Sequence, residues 1–301
     1  MRLGSSAADA AVGSVFEKAC LSVIANRLLQ RARILRHSWS NALDLVGWSR
    51  FSGPRTIVGA SSRAARSTSA DCTPVILCVW RRPERLRRTI DLLRSQIDAN
   101  PVLYIWNNNP KARGFVDDTV IQITDLEIHT VHSTHNAGGF GRFYVARDLA
   151  PTHPFVIFID DDQTFPETAI AQFVREFRPK TISGFWAFRF TGRSEYRLRV
   201  PATVPGERVD YAATCGVICD SEVFSNPDFF RCPRRFWFVE DLWLSYFADH
   251  VLGWQIFKSA VTLDADDDGL DQYHYLYRTK SRFLETLVNA GWALPRTSSA
   301  A

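Results

Sequence analysis

An apolar segment that runs directly into three consecutive aspartates is the strongest constraint on how this chain can fold. Residues 155–159 (FVIFI) contain no polar side chain, and Asp160, Asp161 and Asp162 follow at once. A continuous apolar run of this length is typical of a strand covered on both faces, as in parallel sheets. Adjacent carboxylates at the end of a buried strand repel one another, so a divalent cation is expected beside them. A solvated acidic turn is the plainer alternative.

The segments before this strand alternate between strand and helix patterns. Strands are predicted at 74–80 (PVILCVW), 102–106 (VLYIW) and 127–132 (EIHTVH), and helices after Pro83 and after a glycine-rich turn at 136–143 (NAGGFGRF). Alternation of this kind predicts an α/β fold with a mostly parallel central sheet and helices on both faces.

Polar residues follow three of the predicted strands. They are Arg81 after the first, next to Trp80 at its end, residues 107–109 (NNN) after the second, and the three aspartates after residue 159. In open sheets of this kind the ligand lies beyond the carboxyl ends of the strands. The three groups are therefore expected to line one crevice.

The second half of the chain has a mixed pattern. Residues 181–190 and 196–200 are predicted to form an antiparallel pair, and residues 240–250 and 271–290 are predicted to form helices. The helix at 240 opens with two adjacent acids. Acids are also favoured at a helix N-terminus by the helix dipole, so a purely structural role for this pair stays open.

The two ends of the chain differ from the segment between them. Residues 1–50 combine apolar residues at helical spacing with arginines, which predicts a basic amphipathic helical segment. Residues 51–72 predict a flexible linker, residues 73–295 a globular domain and residues 296–301 a disordered tail. The N-terminal helix is expected either to pack on the domain or a partner or to lie on an anionic membrane surface. A targeting sequence is a further alternative.

Charge and cysteine content narrow the partners and the compartment. Residues 1–71 hold ten of the 36 basic and four of the 32 acidic side chains, which leaves 26 and 28 in the rest. A near-neutral domain argues against nucleic-acid binding. The six cysteines form no CxxC pair, and no apolar stretch reaches the ~18 residues of a membrane span. We expect a cytoplasmic protein, with peripheral membrane contact through residues 1–50 as an open alternative.

The order and spacing of these motifs resemble those of glycosyltransferase family 2, whose members have the GT-A fold. The resemblance spans residues 73–292 and is carried by WRRPERL at 80–86, the NNN turn, the glycine turn, the aspartates as a DxD motif, and the acidic pair on a helix. It implies a single-domain, GT-A-like, metal-dependent enzyme. Such an enzyme moves a sugar, hexosyl in type, from a nucleotide-diphosphate sugar to a hydroxyl of a glycan, glycolipid or glycoprotein, with inversion.

The resemblance also implies roles for individual residues. Asp162 would ligate Mn²⁺ or Mg²⁺ directly, Asp160 would face the ribose or the metal, and His274 would be an extra metal ligand. Asp241, together with Glu240, would supply the base. The nucleotide would be held by Trp80, Arg81, Arg82, Asn107, Asn108, Asn136, Gly138, Gly139, Arg142, Asp160 and Asp161. Asn107 stands where the family usually has an aspartate that contacts uracil, which leaves the identity of the base open.

Three alternatives remain at this stage. A nucleotidyltransferase also uses Mg²⁺ and carboxylates, but it would usually have a phosphate loop rich in glycine and lysine where this chain has residues 80–86. A degenerate GT-A domain could bind glycans or proteins without catalysis. A retaining mechanism is compatible with the same fold.

Overall fold

The structure is a computed structural model that describes residues 72–266 and 273–294. The N-terminal helical segment, the linker up to residue 71 and the tail after residue 295 lie outside the described residues, so these three assignments stay predictions. Among the described helices, none is both long and apolar enough to cross a bilayer.

Strands and helices alternate through the first half of the described chain. The strands are β1 (Thr73–Val79), β2 (Pro101–Asn107), β3 (Ile128–His132), β4 (Phe155–Ile159), β5 (Gln163–Thr164), β6 (Thr181–Gly184), β7 (Ala187–Phe190), β8 (Arg199–Pro201), β9 (Arg208–Val209), β10 (Tyr211–Ala212), β11 (Val217–Asp220), β12 (Gln255–Lys258) and β13 (Asp264–Ala265). The α-helices are α1 (Leu86–Arg94), α2 (Arg113–Ile121), α3 (Gly141–Leu149), α4 (Ala169–Glu176), α5 (Glu222–Ser225), α6 (Glu240–Tyr246) and α7 (Tyr273–Asn289).

The central sheet contains eight of these strands in the order β3-β2-β1-β4-β11-β6-β12-β9. Six run parallel to one another, and β11 and β9 run antiparallel to them. Because β1, β2, β3 and β4 are parallel neighbours, their carboxyl ends meet at one edge of the sheet. This arrangement confirms the predicted α/β fold with a mostly parallel sheet.

Two hydrophobic cores cover the two faces of the sheet. In β1, Val75 and Leu77 contribute to one core and Ile76 to the other, because successive side chains of a strand point to opposite faces. Helices α1, α2 and α4 pack into the first core, and α3, α6 and α7 into the second. The prediction of helices on both faces is confirmed, and the continuous apolar sequence of the strands reflects burial on both sides.

The predicted antiparallel pairing of residues 181–190 with 196–200 is wrong in part. Residues Thr181–Gly184 form β6, which lies inside the central sheet between β11 and β12, where Ile182 is fully buried. Only β7 forms the antiparallel pair, with β8, in a separate three-stranded sheet that β10 completes. The chain changes sheets at Phe185, whose backbone N–H donates to the carbonyl of Gly216.

Candidate functional site

A cleft of about 210 Å³ opens at the edge of the sheet where the parallel strands end. It is lined by Cys78, Trp80, Arg81, Arg82, Asn108, Asn136, Gly138, Gly139, Arg142, Asp160, Asp161, Asp162, Phe238, Glu240 and Leu276. Of the fifteen residues to which the resemblance assigned individual roles, twelve therefore line one cleft, and Asn109 of the NNN turn does not. Asn107 and Asp241 do not line it, and the side chain of His274 lies outside the described part of the chain.

Two arginines neutralise part of the charge on the three aspartates. Nη1 of Arg82 lies 3.0 Å from Oδ1 of Asp161 and 3.1 Å from Oδ2 of Asp162. Nη2 of Arg142 lies 2.8 Å from Oδ1 of Asp160, and its Nη1 donates to the carbonyl of Thr214 at 3.1 Å. Arg82 comes from the segment after β1 and Arg142 from the first turn of α3, so both flank the end of β4.

The two guanidinium groups do not compensate all three carboxylates. Burial is the main reason that the pKa of Asp161 is raised to about 7; Arg82 opposes this rise, and the charges of Asp160 and Asp162 contribute to it. A raised carboxyl pKa means that the nearby positive charge does not fully offset burial and the repulsion between carboxylates. A further cation would therefore be stabilised beside these aspartates.

The donor set of the cleft fits a divalent cation only in combination with phosphate. Among the described residues, no group of three or more His, Cys, Asp or Glu side chains is arranged to hold a metal. Mg²⁺ is usually held by one or two carboxylates together with substrate phosphates and water, and carboxylates suit Mn²⁺ as well. The side chains of Asp160 and Asp162 are 33% and 21% exposed, against 11% for Asp161. Asp160 and Asp162 are therefore the accessible pair for such a cation.

The glycine turn approaches its neighbours so closely that side chains are excluded. Gly138 has a φ of +61°, and a Cβ on it would lie 2.5 Å from the backbone oxygen of Trp237. Asn136 Oδ1 accepts from the N–H of Gly138 at 2.9 Å. Asn108 holds the turn from the other side, because its Nδ2 donates to the carbonyl of Gly138 at 2.8 Å and its Oδ1 accepts from the N–H of Ala137. Asn108 and Asn136 thus shape the cleft.

Asn107 is completely buried and its side chain is occupied by neighbouring protein groups. Its Oδ1 accepts from the N–H of Asn109 at 2.8 Å, and its Nδ2 lies 3.0 Å from Nδ1 of His132. His132 Nε2 in turn lies 2.8 Å from Oδ1 of Asp117. The structure therefore places Asn107 in a hydrogen-bond chain between β2 and β3 and outside the cleft, whereas the sequence led us to expect it beside the base.

The two acids at the start of α6 have different surroundings. Glu240 lines the cleft, and its Oε1 accepts from Oγ1 of Thr214 at 2.9 Å. Burial is the main reason that the pKa of Glu240 is raised to about 7; Arg142 and Thr214 oppose this rise, and the charge of Asp241 contributes to it. Asp241 lies behind the cleft, where its Oδ2 is 2.6 Å from Nζ of Lys280 and also accepts from the hydroxyl of Tyr211.

The sequence reasoning did not single out Lys280, although its position carried a signal. It lies on α7 at helical spacing from the buried residues Leu284 and Leu287, with only 5% of its surface exposed. A lysine on the apolar face of a helix is costly to bury unless it is paired. A charged residue at a buried helix position predicts a buried counter-ion, but the sequence does not identify Asp241 as that group.

Comparison with known proteins identifies the fold. No protein-family model matches the chain, and no curated protein matches it in sequence. The chain is similar to the mannosyltransferase PcManGT from Pyrobaculum calidifontis, solved with GDP-Man and Mn²⁺, at a TM-score of 0.53 and 11% identity over 87% of this chain and 73% of that one. It is also similar to S. aureus TarS 1–349 in complex with UDP, at a TM-score of 0.47 and 15% identity over 72% of this chain. The match covers 65% of the TarS chain, which is less than two thirds of its length. The fold is GT-A-like, as predicted.

Proposed function

We propose that this chain is a metal-dependent glycosyltransferase that moves a sugar from a nucleotide-diphosphate sugar to a hydroxyl of a glycan, glycolipid or glycoprotein, with inversion. The observation that carries the proposal is the meeting in one cleft of paired aspartates, two arginines, a glycine turn and a buried acid. The GT-A-like fold supports it, since this fold occurs in PcManGT, a mannosyltransferase solved with GDP-Man and Mn²⁺.

The aspartate end of the cleft is the proposed site of the donor diphosphate. Arg81, Arg82 and Arg142 line it and offer guanidinium donors, which suit phosphate oxygens. The cation would be held by Asp160 and Asp162 together with those oxygens, and His274 stays a predicted further ligand. When bound, it would stabilise the negative charge that develops on the departing diphosphate. Arg82 would exchange part of its contact with Asp162 for the phosphate.

The other end of the cleft is the proposed site of the acceptor. Inversion at the sugar carbon requires a base that accepts the proton of the attacking hydroxyl. Glu240, Phe238 and Leu276 also line the cleft and offer a carboxylate and two apolar side chains. An apolar surface beside a carboxylate suits a sugar ring, which presents both C–H faces and hydroxyl groups.

A binding experiment tests the donor assignment without knowledge of the acceptor. We would measure the Tm with UDP, GDP, dTDP, CDP and ADP, each with Mn²⁺, with Mg²⁺ or with EDTA. We expect one nucleotide to raise the Tm in the presence of metal, by the linkage between ligand binding and stability. Asp162→Asn should abolish the shift, and Asp118→Asn, at an exposed position on α2 away from the cleft, should leave it unchanged.

The matching sugar nucleotides would then be assayed for release of the nucleoside diphosphate on addition of acceptor glycans. Transfer establishes the glycosyltransferase activity. Metal-dependent binding without transfer to any acceptor would favour a binding module instead. Release of pyrophosphate from a nucleoside triphosphate and a sugar phosphate would identify a nucleotidyltransferase, and the absence of any nucleotide-dependent shift would overturn the donor assignment.

A further inference from the structure

Glu240 and Asp241 are adjacent in sequence but face different environments. Glu240 lines the cleft and Asp241 does not, although the two side chains are almost equally buried, at 7% and 6% exposed. The first turn of α6 places consecutive side chains about 100° apart around the helix axis, so the two acids point in different directions. The structure selects Glu240.

Asp241 is the centre of a buried polar network. Its Oδ2 is 2.6 Å from Nζ of Lys280 and accepts from the hydroxyl of Tyr211, and its Oδ1 accepts from the N–H of Leu242 at 2.9 Å. Nζ of Lys280 also lies 3.2 Å from the hydroxyl oxygens of Tyr211 and Tyr196, which are 3.0 Å from each other. Both carboxylate oxygens of Asp241 therefore already accept hydrogen bonds from the protein.

We infer that Glu240 is the catalytic residue that accepts the proton of the acceptor hydroxyl, and that Asp241 and Lys280 form a positioning pair that fixes α6 against α7. This inference rests on the proposed function and assigns roles within its acceptor end. The pair joins residues 39 positions apart in sequence. The 3₁₀ segment Arg234–Val239 just before α6 also packs on α7, where the rings of Phe236 and Phe283 stack with centroids 4.0 Å apart.

The assigned reaction step balances in atoms and electrons. The acceptor oxygen forms a bond to the anomeric carbon while the bond from that carbon to the diphosphate oxygen breaks. The electron pair of the broken bond leaves with the nucleoside diphosphate. The hydroxyl proton passes to Glu240, which ends the step as a neutral carboxylic acid and returns the proton to solvent when the products leave.

The charges around Glu240 are compatible with this role. Arg142 of α3 and the hydroxyl of Thr214 favour its ionised form, whereas burial and the charge of Asp241 disfavour it. The thiols of Cys78 on β1 and Cys232 before α6 also face it, and burial raises the pKa of both, so they are neutral near pH 7. A carboxyl group with a pKa of about 7 can accept a proton at neutral pH and release it again.

Four variants separate the two roles: Glu240→Gln, Asp241→Asn, Lys280→Met and the double variant Asp241→Asn/Lys280→Met. Each would be compared with wild type for Tm, for binding of the nucleoside diphosphate identified above, and for kcat with its sugar nucleotide. Glu240→Gln should bind the nucleotide as wild type does and lose about 10²-fold or more in kcat, the usual contribution of a general base. Lys280→Met should lower the Tm, because it leaves a buried carboxylate without its counter-ion.

The double variant gives the decisive result. It removes both charges and keeps the shapes, a replacement that is often tolerated in protein interiors. We expect it to recover the Tm and to keep kcat within about tenfold of wild type, within the range expected of a group that does not transfer the proton. A double variant that folds and binds the nucleotide but is as inactive as Glu240→Gln would overturn the inference, as would a Glu240→Gln enzyme that retains its kcat.

Two further measurements depend on the protonation of Glu240 and would not change through a loss of stability alone. In Asp241→Asn the acidic limb of the kcat–pH profile should move to lower pH, because a charge that raises the pKa of Glu240 is lost. A ¹³C carboxyl NMR titration of the wild type should show two resonances that titrate near pH 7, those of Asp161 and Glu240, of which only the glutamate resonance is absent from Glu240→Gln. This titration needs no substrate. A failure of the proposed function alone would leave it intact, whereas titration of Glu240 in the ordinary range would count against the assignment itself.

Discussion

Gly139 lies so close to Glu240 that a side chain on it would occupy the position of the carboxyl group: a Cβ would be 1.7 Å from Oε1 of Glu240. The glycine turn between β3 and α3 therefore touches the acid that begins α6. In the proposed enzyme this contact joins the donor site to the acceptor site. Substitutions in the glycine turn can therefore separate effects on turnover from effects on stability.

Gly139→Ala is expected to impair turnover more than stability. The atom that a new methyl group would displace is the far end of a flexible side chain, so Glu240 can move aside at a modest cost in stability. Its carboxylate would then leave Thr214 and the cleft. We predict a fall of about 1 kcal/mol in the free energy of unfolding, the low end of the usual cost of an inserted methyl group, and a kcat at least tenfold lower. Urea denaturation and steady-state kinetics measure the two effects. Unchanged kcat would show that the contact does not hold Glu240 in place.

Gly138→Ala should have the opposite balance, with a loss of stability as its main effect. Gly138 has a φ of +61°, and the new methyl group would meet the backbone of Trp237, which cannot move aside as a side chain can. We predict a fall of about 1–3 kcal/mol in the free energy of unfolding, the usual cost of a strained backbone site. Gly114→Ala is the matched control, since nothing lies within 4 Å of its Cβ and it lies in α2. It should be neutral or stabilising, by up to about 1 kcal/mol.

Asn107→Ala tests whether this residue reads the nucleotide base. The buried side chain joins Asn109 to His132, so its removal should lower the free energy of unfolding by about 1–3 kcal/mol through unsatisfied polar groups. The rank order of nucleotides in the Tm assay should stay as in wild type. A changed preference among UDP, GDP, dTDP, CDP and ADP would instead show that Asn107 contacts the base.

Asn107 also shows where sequence reasoning reached its limit. The apolar runs located the parallel strands and therefore the edge at which their polar residues meet, because that edge follows from strand direction alone. The predicted second strand ended at residue 106, whereas β2 continues through Asn107, which pairs in register with His132 of β3. Because β2 is one residue longer than predicted, the Asn107 side chain contacts His132 of β3 instead of the predicted nucleotide base.

The acidic pair shows a second limit. The sequence predicts that the pair begins a helix, since acids are favoured at a helix N-terminus. The direction of the Asp241 carboxylate depends on Lys280 and Tyr211, which are 39 and 30 residues away in sequence, and that of Glu240 on Thr214, 26 residues away. No local pattern encodes contacts at that separation. The division of residues 181–190 between two sheets was missed for the same reason. Thr181–Gly184 pair with β11 and β12, which come much later in the chain.

Asp161 predicts a dependence of stability on pH that is opposite in sign to ordinary acid denaturation. Its pKa is raised from 3.8 to about 7 in the folded protein, mainly by burial. Between these values the folded state binds more protons at Asp161 than the unfolded state, so stability should increase as the pH falls from 7 towards 4, by at most about 1.4 kcal/mol per pH unit. Asp161→Asn removes this titrating group while its amide can still contact Arg82. Urea denaturation at pH 7.5 and 5.5 should therefore give a flatter pH dependence for Asp161→Asn than for wild type. Asp118→Asn should retain the wild-type slope, and equal slopes for Asp161→Asn and wild type would show that Asp161 is ionised throughout this range.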